Sequence, residues 1–210
     1  MAIEVQAKVG PIVAADGTLA DPRLGRAGET VTQDCHARFY EAAYRGKMFM
    51  ASTDVAGYTH GTALGTAAPL AIWNPTNSGI NAVITKAYLG YVSGTLGSSQ
   101  LVWCTYPQGA TVPGGTAVTP LCSQIGNPTS GQIKAYKQTS ISASTCTLVR
   151  HSMIINPFLA STAQLNPLMM DPVDGDLILT PGNVLSIQGV GGGGSSPLIM
   201  IAFVWEEVPV

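Results

Sequence analysis

Charge is what this sequence has least of. Only 10% of its 210 residues are Asp, Glu, Lys or Arg, against about 25% in an average soluble domain. Acid is missing altogether between Asp54 and Asp171, an interval that still holds Lys86, Lys134, Lys137 and Arg150. Twelve carboxylates and three scattered histidines, His36, His60 and His151, supply paired-carboxylate or triad catalysis poorly. No G-x-S-x-G elbow is present either, so no catalytic residue is assigned and the chain is not expected to be an enzyme. A net charge of -2 without a clustered basic patch argues against a nucleic-acid partner.

Long apolar runs are also missing. The longest, Pro197 to Trp205, is about nine residues, where a spanning helix needs roughly 20, so no membrane partner is expected. The start, Met1-Ala2-Ile3-Glu4-Val5-Gln6-Ala7-Lys8, lacks the basic residues and apolar stretch of a secretory signal, which points to synthesis in the cytoplasm. Cys35, Cys104, Cys122 and Cys146 include no C-x-x-C pair, so neither zinc nor any other metal or cofactor is expected. They read either as buried reduced thiols or with a disulfide such as Cys104 to Cys146.

What is present is a globular share of hydrophobic residues, 46%, wetted by Ser, Thr, Asn, Gln and Gly in place of charge. Short polar residues of this kind suit turns and strand faces better than helices. A charge-depleted surface resembles the buried centre of a protein interface, while a free monomer normally relies on charge for solubility. The composition therefore favours an assembly protein over a secreted β-protein kept soluble by hydroxyls.

Along the chain, residues 1–60 are expected to form an extended N-terminal arm and connecting segment, and residues 61–210 a single β-body. The first 35 residues carry turn formers such as Asp16-Gly17 and Asp21-Pro22 without periodicity. Six of the ten basic residues lie in the first 47. His36 to Arg45, stopped by Gly46, reads equally as a short helix or as a strand running into Met48-Phe49-Met50.

From about residue 67, short β-rich runs alternate with turn signals: Pro69–Trp73, 80–95, Gln100–Tyr106, Gln132–Gln138, Thr145–Ile155, Asp176–Leu179, Val184–Val190 and Leu198–Val208. Within 80–95, strict alternation puts Val83, Thr85, Ala87, Leu89 and Tyr91 on one face, with Ile84, Lys86, Tyr88 and Gly90 on the other. Asp174-Gly175 and Pro181-Gly182-Asn183 suggest turns around two antiparallel strands. The run Gly189 to Gly194 suggests a flexible tip. Long connections, Pro107 to Gly131 and Asn156 to Gly175, favour a Greek-key or jelly-roll arrangement, so the expected fold is an all-β, jelly-roll-like antiparallel sandwich or barrel.

Three further groups are weighed against blander roles. The glycine run is neither a P-loop nor a dinucleotide fingerprint. Asp171, Asp174 and Asp176 lack EF-hand spacing and read better as a turn with solvated carboxylates than as a Ca²⁺ site. Trp73, Trp103, Tyr88, Tyr91 and Tyr106 are candidates for sugar stacking, but strand aromatics more often fill cores or pair across strands.

Several strings together resemble structural proteins of tailed bacteriophages and prophages. They are Leu24-Gly25-Arg26, His36-Ala37-Arg38-Phe39-Tyr40-Glu41-Ala42, Tyr44-Arg45-Gly46, Trp73-Asn74-Pro75-Thr76-Asn77-Ser78-Gly79, Gly90-Tyr91-Val92-Ser93-Gly94-Thr95-Leu96-Gly97, Pro181-Gly182 and Trp205-Glu206-Glu207-Val208-Pro209. The resemblance implies a virion component on the capsid surface: a capsid decoration or cement protein, or a head-fibre type, often a homotrimer, whose partners are the major capsid protein and copies of itself. The arm and the segment after it, with Arg23, Arg26, Arg38, Phe39, Tyr40, Tyr44 and Arg45, would make the capsid contacts. The alternative role is an outward-facing receptor- or glycan-binding module using Gly109 to Gly115 and Gly189 to Gly194.

Overall fold

The computed structural model describes residues 37–140, 146–155, 168–192 and 194–210. The chain divides between Glu41 and Ala42 into two units, and of the first only residues 37–41 are described. The arm proper, with Arg23 and Arg26, lies outside the described residues.

Of the two alternatives for the segment after His36, the helix is the one that forms, and the strand starts only after it. A five-residue helix, α1 (Tyr40–Tyr44), gives way to strand β1 (Met48–Ser52). Gly46, at φ 65°, closes the helix. The Gly46 N–H donates to Ala43 O at 3.0 Å and the Lys47 N–H to Ala42 O at 2.9 Å, the paired bonds of a Schellman stop. Phe49 and Ala51 are buried in the core. The body therefore includes β1, and the expected boundary at residue 60 falls inside it.

The remaining strands are β2 (Ala67–Trp73), β3 (Ile80–Leu96), β4 (Ser99–Pro107), β5 (Thr116–Val118), β6 (Leu121–Cys122) and β7 (Lys134–Ser140), followed by β8 (Thr147–Ile155), β9 (Leu168–Pro172), β10 (Ile178–Leu179), β11 (Asn183–Gly191) and β12 (Gly194–Pro209). β1 pairs with β12, β2 with β11, β3 with β9 and β10, and β4 with β8, all antiparallel. The first half of the chain thus runs back along the second half as one long ribbon. Rolling that ribbon sets β3 against β12 and β4 against β11. The result is two six-stranded sheets, one ordered β10-β3-β12-β1-β6 with β9 also on β3, the other β5-β7-β2-β11-β4-β8. This is a jelly roll with β5, β6 and β7 inserted between β4 and β8. The all-β sandwich expected from the sequence is what forms.

The inner faces meet in one core. Phe49, Ile84, Ala87, Leu89, Ile201, Phe203 and Trp205 come from the first sheet, and Leu70, Ile72, Leu101, Trp103, Leu185 and Ile187 from the second. Trp103 and Phe203 lie 5.1 Å apart between ring centroids, and Phe49 and Trp205 6.4 Å. A second cluster, Ala71, Trp73, Cys104, Cys146 and Val184, packs separately with Leu64, Tyr106 and Tyr136.

Three local expectations are corrected. Ile84 and Ala87 are both in the core because the register between β3 and β12 shifts at Val204/Trp205, leaving Thr85 as the extra residue. Its Oγ1 donates to Val204 O at 3.0 Å, and this bulge reverses the simple alternation. Asp174 and Gly175, at φ 53° and 96°, do form the expected turn. The strands around Pro181-Gly182, however, do not pair: β10 joins β3 in one sheet and β11 joins β2 and β4 in the other, so the turn carries the chain across the sandwich. The glycine run is mostly strand, with Gly189 in β11 and Gly194 in β12. A Cβ on Gly189 would lie 2.1 Å from His60 Nδ1, and one on Gly194 1.9 Å from Thr95 O, so both glycines serve close packing.

Candidate functional site

Of the expected contact set, Arg38, Phe39, Tyr40, Tyr44 and Arg45 lie among the described residues. The Arg38 guanidinium stands 5.2 Å from the Phe39 ring centroid, a cation–π distance. Tyr40 and Tyr44 are exposed on α1, whose residues are none of them buried. Exposed Tyr and Arg are the residue types that anchor interfaces.

A second surface was not foreseen. β8 is outer at one edge of its sheet, and β9 and β10 are outer at one edge of the other; Leu148, Val149, Met170 and Ile178 on them are exposed. Val149 and Ile178 also line a cleft of about 260 Å³ with Leu177 and Leu185. Apolar residues grouped along a sheet margin mark a docking surface more often than scattered ones do.

The same flank is tied from within by Asp171. Its side chain, 5% exposed, accepts from Trp103 Nε1 at 2.7 Å, Ser152 Oγ at 2.7 Å and Arg150 Nη2 at 2.6 Å. Arg150 Nη1 reaches Asp176 Oδ2 at 3.2 Å. Asp171 is therefore not a solvated turn carboxylate, since it joins β9 of one sheet to β4 and β8 of the other. Among the described residues no three His, Cys, Asp or Glu side chains group as metal ligands. At the far end of β12, the buried Glu207 carboxylate accepts from the Gln132 and Ile133 N–H groups at 2.9 and 3.0 Å, which fixes the loop entering β7.

The sugar-stacking candidates are largely spent on structure. Trp73 and Trp103 are buried. Lys86 lies 5.9 Å from the Tyr88 ring, and Tyr91 donates its hydroxyl to Gly94 O at 2.5 Å. Tyr106 packs against the second cluster.

A cleft of about 300 Å³ is lined by Tyr58, His60, Pro69 and Gln138. Beside it, Lys137 Nζ donates to both Asp54 oxygens at 2.6 and 2.7 Å, and Tyr58 Oη donates at 2.6 Å. These bonds, that of Lys137 foremost, hold Asp54 below the usual carboxylate range, while Asp54 raises the Tyr58 phenol. His60 is buried, and its Nδ1–H donates to Gly61 O at 2.6 Å. Its Nε2 has no hydrogen-bond partner among the described residues.

Burial pushes the His60 imidazole below its ordinary pKa. The unfolded chain then holds more protons than the folded one as pH falls below about 6.5, so stability should decline with acidification there and level off below the folded value. Urea unfolding at intervals from about pH 7.5 to 5 checks this, because His60→Gln should flatten the decline. An identical slope in the variant would remove His60 as its cause.

Against known proteins, no family model and no curated sequence matches the chain. A solved structure described as "KBV activated particle at acidic pH" aligns with 100% of this chain and 85% of its own, at 12% identity and a TM-score of 0.27. A superposition that loose carries no argument about fold or role.

Proposed function

We propose that this chain is a non-enzymatic structural virion protein, a capsid decoration or cement protein that binds the major capsid shell and neighbouring copies of itself. The observation that carries the proposal is a jelly-roll body poor in surface charge that exposes Leu148, Val149, Met170 and Ile178 along one margin. Jelly rolls recur in viral capsids and in lectins. The resemblance of the residue strings to tailed-phage structural proteins favours the former, with a homotrimer as the working assembly. Basic and aromatic residues from Arg23 to Arg45 add a second attachment point, so contacts that are weak singly act together as avidity.

Deleting residues 1–34 is expected to abolish attachment to purified capsids while the body still gives a cooperative unfolding transition. Attachment at unchanged occupancy after the deletion would overturn the proposal. A reproducible signal on a glycan array would instead favour the receptor- or glycan-binding module.

A further inference from the structure

We propose that the outer face of the sheet holding β3, β12 and β1 is an interface between two copies of this chain, which rests on the reading of the protein as one that binds copies of itself. The longest apolar run of the sequence lies at the middle of that face. In β12, Ile199, Ile201, Phe203 and Trp205 point into the core, so Leu198, Met200, Ala202, Val204 and Glu206 point outward. Four of these five outward residues are apolar. An antiparallel strand with one wet face alternates apolar with polar residues, whereas a strand covered on both faces is apolar throughout. β12 has the second pattern, yet the opposite sheet covers only one of its faces.

Neighbouring strands widen the patch. β1 turns Phe49 and Ala51 inward and Met50 outward, opposite Val204. β3 turns Ala87 and Leu89 inward and Tyr88 outward, opposite Ala202. Beyond them, Met170 of β9 stands opposite Tyr88 and Leu121 of β6 opposite Met50, both exposed. Five strand positions about 4.8 Å apart, over about 20 Å of strand, give roughly 500 Å² per copy. Two such faces bury about 1,000 Å², the size at which a specific interface begins.

Charge points to a second copy as the occupant. Among the described residues the strands of this sheet turn two charges outward, Lys86 and Glu206, and both are half-buried. Lys86 stands opposite Val204, two residues from Glu206, so the face is neutral with one charge of each sign close together. A two-fold axis lying in the contact plane between them sets Lys86 of each copy against Glu206 of the other. The apolar side chains then interdigitate at the ordinary sheet-to-sheet spacing of about 10 Å. Met50, Met170 and Met200 are flexible enough to fill the gaps. Such a contact pairs chains two by two, and it joins one trimer to another where a threefold contact also exists. Leu148 and Val149, on the other sheet, stay available for the capsid shell.

The test measures the molar mass of the full chain by sedimentation equilibrium over a range of concentrations. The parent should contain an even number of chains. Lys86→Glu and Glu206→Lys, each alone, oppose like charges twice per contact, and each should halve the mass by weakening association about tenfold or more. Mixing the two variants should restore the parent mass, because one face then carries two acids and the other two bases. An ion pair within one chain gives no such rescue. Ala202→Asp, at the centre of the face, should also halve the mass while unfolding stays cooperative. The proposal is overturned by a parent that is monomeric or trimeric at every concentration, by charge variants of unchanged mass, or by a mixture that does not regain mass. Unchanged mass together with lost attachment to capsids overturns it by giving the face to the shell. A parent that pairs by these rules yet does not attach to purified capsids upholds the contact and removes the capsid role.

Discussion

Asp171→Ala should destabilise the fold by about 3 kcal/mol, the lower end for a broken buried ion pair because Arg150 is 29% exposed. Asp171 accepts three hydrogen bonds, from Trp103, Ser152 and Arg150. Alanine leaves the Trp103 N–H, on a ring with no exposed surface, without an acceptor, and that orphaned donor costs more than the bond itself contributes. Among the described residues it also leaves the Arg150 charge with only Asp176, whose side chain is 75% exposed. Asp171→Asn keeps one acceptor and should lose less. Asp176→Ala should cost under about 1 kcal/mol, as exposed pairs do. Urea denaturation of the three variants separates these contributions. Equal losses for Asp171→Ala and Asp176→Ala would show that the two sheets are not joined through Asp171.

Phe203→Ala should cost about 3–5 kcal/mol, as deletion of a fully buried aromatic ring leaves a cavity that close packing cannot refill. Phe203 has no exposed surface and stacks at a tilt of 33° on Trp103 of the opposite sheet. Its loss removes contacts to both layers at the middle of the sandwich. Phe203→Leu retains most of the volume and should lose less than half as much. Leu148→Ala, on the exposed margin, should leave the unfolding midpoint unchanged while weakening attachment to capsids. A midpoint for Phe203→Ala within error of the parent would mean that the two inner faces do not meet there.

Much of the fold was legible in the sequence because it depends on local physics. A two-residue period, the turn chemistry of Asn74 to Gly79 and the Asp174-Gly175 pair located most strands of the roll. Asn74 shows why that turn is strong, since its amide donates to Ile80 O at 2.8 Å and Leu179 O at 2.9 Å while its Oδ1 accepts from Ser78. β5, β6 and β9 were hidden in stretches read as loops, because short edge strands draw their stability from partners rather than from their own pattern. The proposed contact residues Arg38, Phe39, Tyr40, Tyr44 and Arg45 are suggested by residue type alone. The Asp171 junction was not legible, since Trp103 stands 68 positions away in sequence.

The sequence by itself determined that this chain is all-β, poor in charge and punctuated for a rolled ribbon, since composition, alternation and turn residues act within a few positions. Only the tertiary structure decided where the bulge at Thr85 turns β3, which sheet β10 and β11 each enter, and how the acid-free interval is balanced. Lys137 meets Asp54, and Arg150 meets Asp171 and Asp176, all from outside that interval. Coulomb forces and hydrogen bonds act over ångströms of space and take no account of distance along the chain.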